Sequence, residues 1–391
     1  MPPTVIFSRG TIRASNDRYM LGGFIVVVGF IIILMIHEGG HLVAAKAFGI
    51  KVTKYFLGFG PTIWSFNYGE TEYGIKAIPA GGYVKVIGMN PLEDVPFGEE
   101  HRTYRVRPFY QKSIVVMAGI ATHFVLAFVL VYVANVGIGW PDYQSPSLTV
   151  ANIVATTDGG DESPASFAGI KVGDRVVSIN GVSVASWHEL TSVLRDNANQ
   201  FVLVGIQMET ESIKLGVILG SRVDQETGKD IGFLGVSPVF SKIRQNPVVG
   251  VRDSMMTVLL FAEVSIVGLW GFITNFGDLL SAISGSDQIL DEVRPVSIIG
   301  IAQYGSLSQK AGLSYTLELI AYISVFIGLL NTIPLYPFDG GHFAVAVYEK
   351  LTGRSADVRK LVPVGAVVFS IVVFLGILGI YFDITRPLNF G

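Results

Sequence analysis

Residues 19–48 read YMLGGFIVVVGFIIILMIHEGGHLVAAKAF. The uncharged run Tyr19–Ile36 approaches the roughly 20 apolar residues that cross a bilayer. No proline interrupts it before His37-Glu38-Gly39-Gly40-His41, so one helix should continue to about Phe48. His37 and His41 are four residues apart, which stacks their imidazoles on one helix face where both can bind one metal ion. Glu38 projects about 100° around the helix from His37, near enough to touch a metal-bound water without being a ligand. Three ionisable groups beside an apolar helix cost several kcal/mol unless paired or bound, which marks a functional site rather than two histidines satisfied by hydrogen bonds.

The rest of the chain agrees with a membrane setting. Half of its 391 residues are apolar and only 15% are charged, against about 25% in soluble proteins. Mean hydropathy is positive. The net charge is −3, with no basic run longer than two residues, which excludes nucleic acid as a partner class and leaves the lipid bilayer. There is no cysteine, so thiolate sites and disulfides are excluded and any metal must be held by His, Asp or Glu. Arg9, Arg13 and Arg18 precede the first apolar run like the basic region of a signal peptide. No small-residue cleavage site follows, and the run reads as an uncleaved span.

Further spans are expected at Ser113–Trp140, Leu319–Phe338 and Leu361–Phe382. Val251–Phe276 is interrupted by Glu263, and its uncharged part, Val264 to Gly277, has 14 residues, a length that suits an interfacial or re-entrant segment. Lys46, Lys51, Lys54, Lys76, Lys85, Arg102, Arg105, Arg107 and Lys112 fill the loop after span one, and Lys350, Arg354, Arg359 and Lys360 the loop between the last two spans. The positive-inside rule makes both loops cytoplasmic, although the three N-terminal arginines pull the other way. Asp142 to Asn246 is then extracytoplasmic. Val52–Met89, rich in glycine, aromatic and β-branched residues, reads as short strands able to lie at the membrane interface and to accept an extended peptide at an edge.

The exterior segment alternates short apolar runs with Gly-Asp and Asn-Gly turns, and Ser186 with Glu189 caps a helix over SWHELTSVLRDN. Around "AGIKVGDRVVSINGVSV" it resembles a PDZ domain, over about Thr149–Gly220. The expected architecture is a polytopic α-helical membrane protein of about four transmembrane helices, with a membrane-associated β loop and one inserted α+β PDZ-like domain. Its segments are 1–48, the first span; 49–112, the cytoplasmic-side β loop; 113–141, the second span; 142–246, the PDZ-like domain and linker; 247–313, interfacial; and 314–391, spans three and four.

A catalytic zinc takes three protein ligands and keeps one open position. Asp339, in NTIPLYPFDGGHF, follows the uncharged run Leu319–Phe338. Pro334 and Pro337 break the helix before it, and Gly340 and Gly341 let the backbone turn its carboxylate inward. His342 competes for the same role. If Val251–Phe276 does not cross, Asp339 emerges at the depth of His37; if it crosses, the two lie a bilayer apart.

His37-Glu38-Gly39-Gly40-His41, the single PDZ-like domain and Asn331-x-x-Pro334…Asp339-Gly340 together resemble the site-2 protease family of intramembrane zinc metalloproteases. "RPVSIIGIA" and the Pro334…Pro337-Phe338-Asp339 spacing are similar to its bacterial regulator-of-sigma-factor branch, of an actinobacterial kind. The resemblance implies Zn2+ held by His37, His41 and Asp339, Glu38 as general base, and Asn331 contacting the substrate backbone or the oxyanion. It implies, as partners, single-pass membrane proteins of the anti-sigma factor type, already trimmed outside. Gly81–Lys85, GGYVK, matches the family's β region. Two departures stand out: Gly119-Ile120-Ala121-Thr122-His123 replaces the family's Gly-Pro-x-x-Asn, and Gly39 stands where a bulky residue is common. His123 is then either an outer partner of the metal site or a membrane histidine bonded to a neighbouring helix. The competing reading is a non-proteolytic receptor or scaffold that keeps a structural metal and binds through its PDZ-like domain.

Overall fold

In lipid, an apolar run can satisfy its backbone only as a helix or within a closed barrel. Among the described residues of the computed structural model, five helices have the length and composition to span: Leu21–Ala47, Phe109–Ile138, Pro247–Thr274, Leu313–Asn331 and Val362–Thr385. The structure describes residues 16–90, 93–95, 97–154, 162–208, 211–223, 228–277 and 295–385. The chain divides into a membrane unit, Asp17–Ile138 with Gln245–Leu388, and a second unit over Gly139–Arg244.

The membrane unit begins with α1 (Asn16–Ala47) and a hairpin of β1 (Val52–Tyr68) and β2 (Thr71–Val86), followed by α2 (Phe109–Tyr132), which a π turn prolongs over Val133–Ile138. Both strands bend on themselves. Lys54–Leu57 pairs on one side with Glu72–Ile75 and on the other with Gly82–Lys85, while Trp64–Asn67 pairs with Glu72–Ile75. The outcome is a ribbon four strands wide with Gly82–Val86 along one edge. Gly58 takes a left-handed φ of 86°, and a Cβ there would stand 2.6 Å from the Ile78 carbonyl, so the bend requires glycine. Ile63, Trp64 and Tyr68 are exposed at the other edge, the amphipathic aromatic surface that lipid headgroups favour.

The second unit is α+β and PDZ-like. In chain order it holds β3 (Trp140–Pro141), β4 (Val150–Ile153), α3 (Pro164–Phe167), β5 (Arg175–Ile179), β6 (Val182–Ser183), α4 (Trp187–Arg195), β7 (Phe201–Met208), β8 (Glu211–Ile218), β9 (Gly220–Val223), β10 (Asp230–Phe233), β11 (Val236–Pro238) and β12 (Lys242–Ile243). The main sheet has the order β6-β5-β7-β8, and Val150, Val176, Leu190, Val204 and Leu219 are buried at its centre. Asn180 and Gly181, at φ 51° and 83°, form the Asn-Gly turn from β5 to β6 that tight hairpins demand. Ser186 caps α4 by accepting from Glu189 N, and the Glu189 carboxylate reaches back to Ala185 N at 2.8 Å.

The membrane unit resumes with α5 (Pro247–Thr274), α6 (Ile298–Ala311), α7 (Leu313–Asn331), α8 (Asp339–Thr352) and α9 (Val362–Thr385). Glu263 does not break α5, which is continuous for 28 residues. An exposed carboxylate on a helix surface leaves the backbone ladder intact, so the charge interrupts hydropathy but not structure. The third run stops as a helix at Asn331 rather than reaching Phe338, because Pro334 cannot continue the ladder. Gly29 of α1 packs on Ile320 of α7, and α1 and α7 run in the same direction. At α5, Gly250 meets Tyr132 and Val136, while Phe272 and Phe276 pack on Leu378 and Phe382 of α9.

Candidate active site

His37 and His41 face the interior of the membrane unit and are 6% and 3% exposed. The Nδ1–H of His41 donates to the Val115 carbonyl of α2 at 2.8 Å. That bond fixes the tautomer and leaves Nε2 with its lone pair, as metal-ligating histidines require. The ring can enter only because residue 119 has no side chain: a Cβ on Gly119 would stand 2.3 Å from His41 Nε2. At the preceding residue, a Cβ on Gly40 would stand 2.6 Å from the Ala118 carbonyl, so this glycine sets the close approach of α1 to α2. Gly39 has a different surrounding, with Tyr55 Oη 3.5 Å from where its Cβ would be.

Asp339 is the first residue of α8 and half-buried. The segment 332–338 folds back over this helix start. A Cβ on Gly340 would lie 2.4 Å from the carbonyls of both Thr332 and Ile333, and one on Gly341 would lie 2.7 Å from Tyr336 N. These glycines are helical, so they serve close backbone packing rather than the turn expected from their sequence position. Asp339 Oδ2 lies 3.1 Å from Nε2 of both His37 and His41, and the two Nε2 atoms are 3.3 Å apart. Atoms bound tetrahedrally at 2.0–2.1 Å from a zinc stand roughly 3.3 Å from one another, so this triangle fits one ion. His342 turns away, with its Nδ1 3.3 Å from Tyr336 Oη. Burial lowers its pKa to about 4, so it stands neutral.

Glu38 is not among the clustered ligand atoms. Its Oε2 accepts from Val84 N at 2.9 Å, on the free edge of the β ribbon, and Tyr55 Oη donates to the Met35 carbonyl at 2.6 Å, fastening the ribbon to α1. A cleft of about 430 Å³ opens beside this edge, between Val84–Val86, Met89, Glu93 and His342. Asn331 ends α7, half-buried, and makes no side-chain hydrogen bond among the described residues. His123 is buried in α2; its Nδ1 lies 3.2 Å from Ser324 Oγ, which itself donates to the His123 carbonyl at 3.0 Å. The sequence reading thus grouped His37, His41 and Asp339 as the structure does. It missed the Val84 amide and the Val115 carbonyl, which are backbone groups without a residue-type signal, and the role of Gly119, whose signal was the retained glycine four residues before His123.

A model of peptidase family M50 matches residues 25–375. The chain is 30% identical over 404 residues to the zinc metalloprotease Rip1 of Mycolicibacterium smegmatis, with 94% of this chain and 98% of that protein covered. It is likewise 30% identical over 406 residues to the zinc metalloprotease Rip1 of Mycobacterium tuberculosis strain H37Rv, covering 95% and 99%.

Proposed function

Because the chain belongs to peptidase family M50 and is a multi-pass zinc metalloendopeptidase of the site-2 type, we propose that it cuts single-pass membrane proteins within their transmembrane segments. The substrates are of the anti-sigma factor type, trimmed beforehand outside the cell. The observation that carries this is the convergence of three ligand atoms within 3.1–3.3 Å of one another, next to a carboxylate facing a free strand edge. Membership of an enzyme family removes the reason for the scaffold alternative.

In this reading His37, His41 and Asp339 hold the zinc. Bound there, zinc supplies Lewis-acid polarisation and brings the pKa of a water towards 7. Glu38 Oε2 takes the proton from the attacking water and hands it to the departing amine, as a general base turned acid. A helical substrate has its carbonyls engaged and its amides shielded, so the segment must unwind before attack. The edge Gly82–Val86 offers the unwound stretch a strand to pair with, and the Val84 amide, which touches Glu38, sets that stretch beside the base. The Asn331 amide contacts the substrate backbone or the oxyanion.

We read the orientation from the charged loops that join the helix ends. α1 and α7 end at the ligand cluster, α2 begins near it at Val115, and α9 begins near Tyr336, against which Gly365 packs. The lysine- and arginine-rich loops join those ends, which makes this face cytoplasmic and the PDZ-like domain extracytoplasmic. We read 247–313 as interfacial because a crossing there would part Asp339 from His37 by a bilayer, and the two side chains meet at 3.1 Å.

The test is Glu38→Gln in purified protein, scored for zinc content and for cleavage of a single-pass reporter. Zinc should stay stoichiometric while cleavage falls by about 10²–10⁴-fold. Full cleavage by the variant overturns the assignment.

A further inference from the structure

Two buried nitrogens face the centre without partners: His37 Nδ1 and His123 Nε2. An unpaired buried polar group costs about 1–3 kcal/mol, and here two such atoms belong to neighbouring rings, with centroids 4.8 Å apart and planes inclined by 37°. Imidazole nitrogens sit about 1.1 Å from the ring centre, so an in-line N–H···N bond near 2.9 Å places two centroids roughly 5 Å apart. The observed spacing is close to that value.

The proton arrangement is complementary. Ser324 Oγ spends its single hydrogen on the His123 carbonyl, so towards His123 Nδ1 it acts as acceptor, at 3.2 Å. His123 therefore carries its proton on Nδ1 and presents a lone pair at Nε2. His37, once its Nε2 lone pair is committed to an ion, carries its proton on Nδ1. One ring offers a donor and the other an acceptor. Nothing else among the described residues satisfies either atom. On α7, Gly328 makes the room, since a Cβ there would lie 2.8 Å from His123 Cβ.

We propose that His123 is the positioning residue for His37, accepting a hydrogen bond from its Nδ1–H and so fixing the ring that presents Nε2 to zinc. Ser324 fixes the His123 tautomer in turn. This rests on the assignment of His37, His41 and Asp339 as zinc ligands. α2 then supplies the outer partners of both histidine ligands, a backbone carbonyl for His41 and an imidazole for His37. Partners of this kind alter metal affinity by about 10–100-fold.

The experiment uses the full-length chain carrying Glu38→Gln, so that proteolysis does not enter the readout. Zinc affinity is measured by chelator competition, and the visible spectrum of the cobalt-substituted protein is recorded. His123→Leu keeps the volume and removes the acceptor; His123→Gln returns an amide oxygen near the position of Nε2; Ser324→Ala frees the imidazole to change tautomer. We expect zinc to bind about 10–100-fold more weakly in His123→Leu, with altered cobalt bands, a substantial recovery in His123→Gln, and an intermediate loss in Ser324→Ala, which leaves the ring in place. Zinc affinity within twofold of the parent in both His123→Leu and Ser324→Ala overturns the proposal, as does a His123→Gln variant as weak as His123→Leu. A parent protein that binds no zinc refutes the ligand assignment itself, a distinct result.

Discussion

Gly119→Ala is the smallest change that should empty the centre. The added Cβ would stand 2.3 Å from His41 Nε2, 2.4 Å from Cε1 and 2.9 Å from Cδ2, so the methyl points at the edge of the ring that holds the ligand atom. Ordinary contact begins near 3.4 Å, and the ring or the helix must therefore give by about 1 Å. The ring cannot slide freely, because its Nδ1 is tied to Val115 O on the same helix as the new methyl. A zinc ligand tolerates displacements of about 0.2 Å, so the move exceeds the tolerance several-fold. Zinc affinity should fall by at least about 100-fold, and cleavage with it, since a 1 Å misplacement near chemistry already costs about that factor. Gly39→Ala is the matched control on α1: its Cβ meets Tyr55 Oη at 3.5 Å, an ordinary contact, and the exchange should stabilise the helix by up to about 1 kcal/mol. Both variants are purified in detergent and compared for bound zinc, thermal midpoint and reporter cleavage. Full zinc occupancy in Gly119→Ala, or equal damage from Gly39→Ala, would falsify the account of why α2 carries a glycine here.

Val84→Pro removes the amide that donates to Glu38 and should leave the zinc triangle intact. Cleavage of the single-pass reporter should drop by about tenfold or more, the equivalent of one lost hydrogen bond, while zinc content is unchanged; an unaltered rate rules out the edge as a substrate guide. Asp383 of α9 accepts from Ser297 N at 2.8 Å, Ser297 Oγ at 2.6 Å and Gly300 N at 3.0 Å, which ties the start of α6 to α9. Asp383→Ala should destabilise the membrane unit by about 3 kcal/mol, read as a lower denaturation midpoint in micelles with the zinc site still formed when folded. An unchanged midpoint would show that the buried carboxylate contributes nothing net.

The parts of the site legible in the sequence are those where spacing along one element fixes geometry. His37 and His41 share a helix face by periodicity alone, and Glu38 follows from its place between them. Asp339 was legible for a different reason: a carboxylate at the end of an uncharged run needs a partner in or near lipid. What escaped was set by tertiary contact. The Val84 amide reaches Glu38 only because the β ribbon folds twice, and strand assignments from turn residues contain no such register. Gly340 and Gly341 were read through backbone freedom, yet their constraint is the carbonyls of Thr332 and Ile333 pressed against them, which becomes visible only once 332–338 is folded back. Glu263 shows the converse, a charge that hydropathy counts as a break and that the continuous α5 carries on its exposed surface.

The absent proline in α2 has a physical consequence at the centre. Val115, Gly119 and His123 recur every four residues, one row on a helix face, and α1 runs antiparallel to that row, with His41 against Val115 and Gly119 and His37 against His123. Rows of this spacing interlock only while both helices keep their pitch. A proline at 120 would remove the bond to residue 116 and bend α2 between Gly119 and His123, shifting the second contact relative to the first. Ile120 keeps the ladder whole and is itself buried at 3% exposure. The straight helix therefore carries the imidazole of residue 123 to the level of His37, and a longer side chain than asparagine can act there because the segment that presents it does not kink away. Gly328 opposite completes the fit by leaving the space that this larger ring needs.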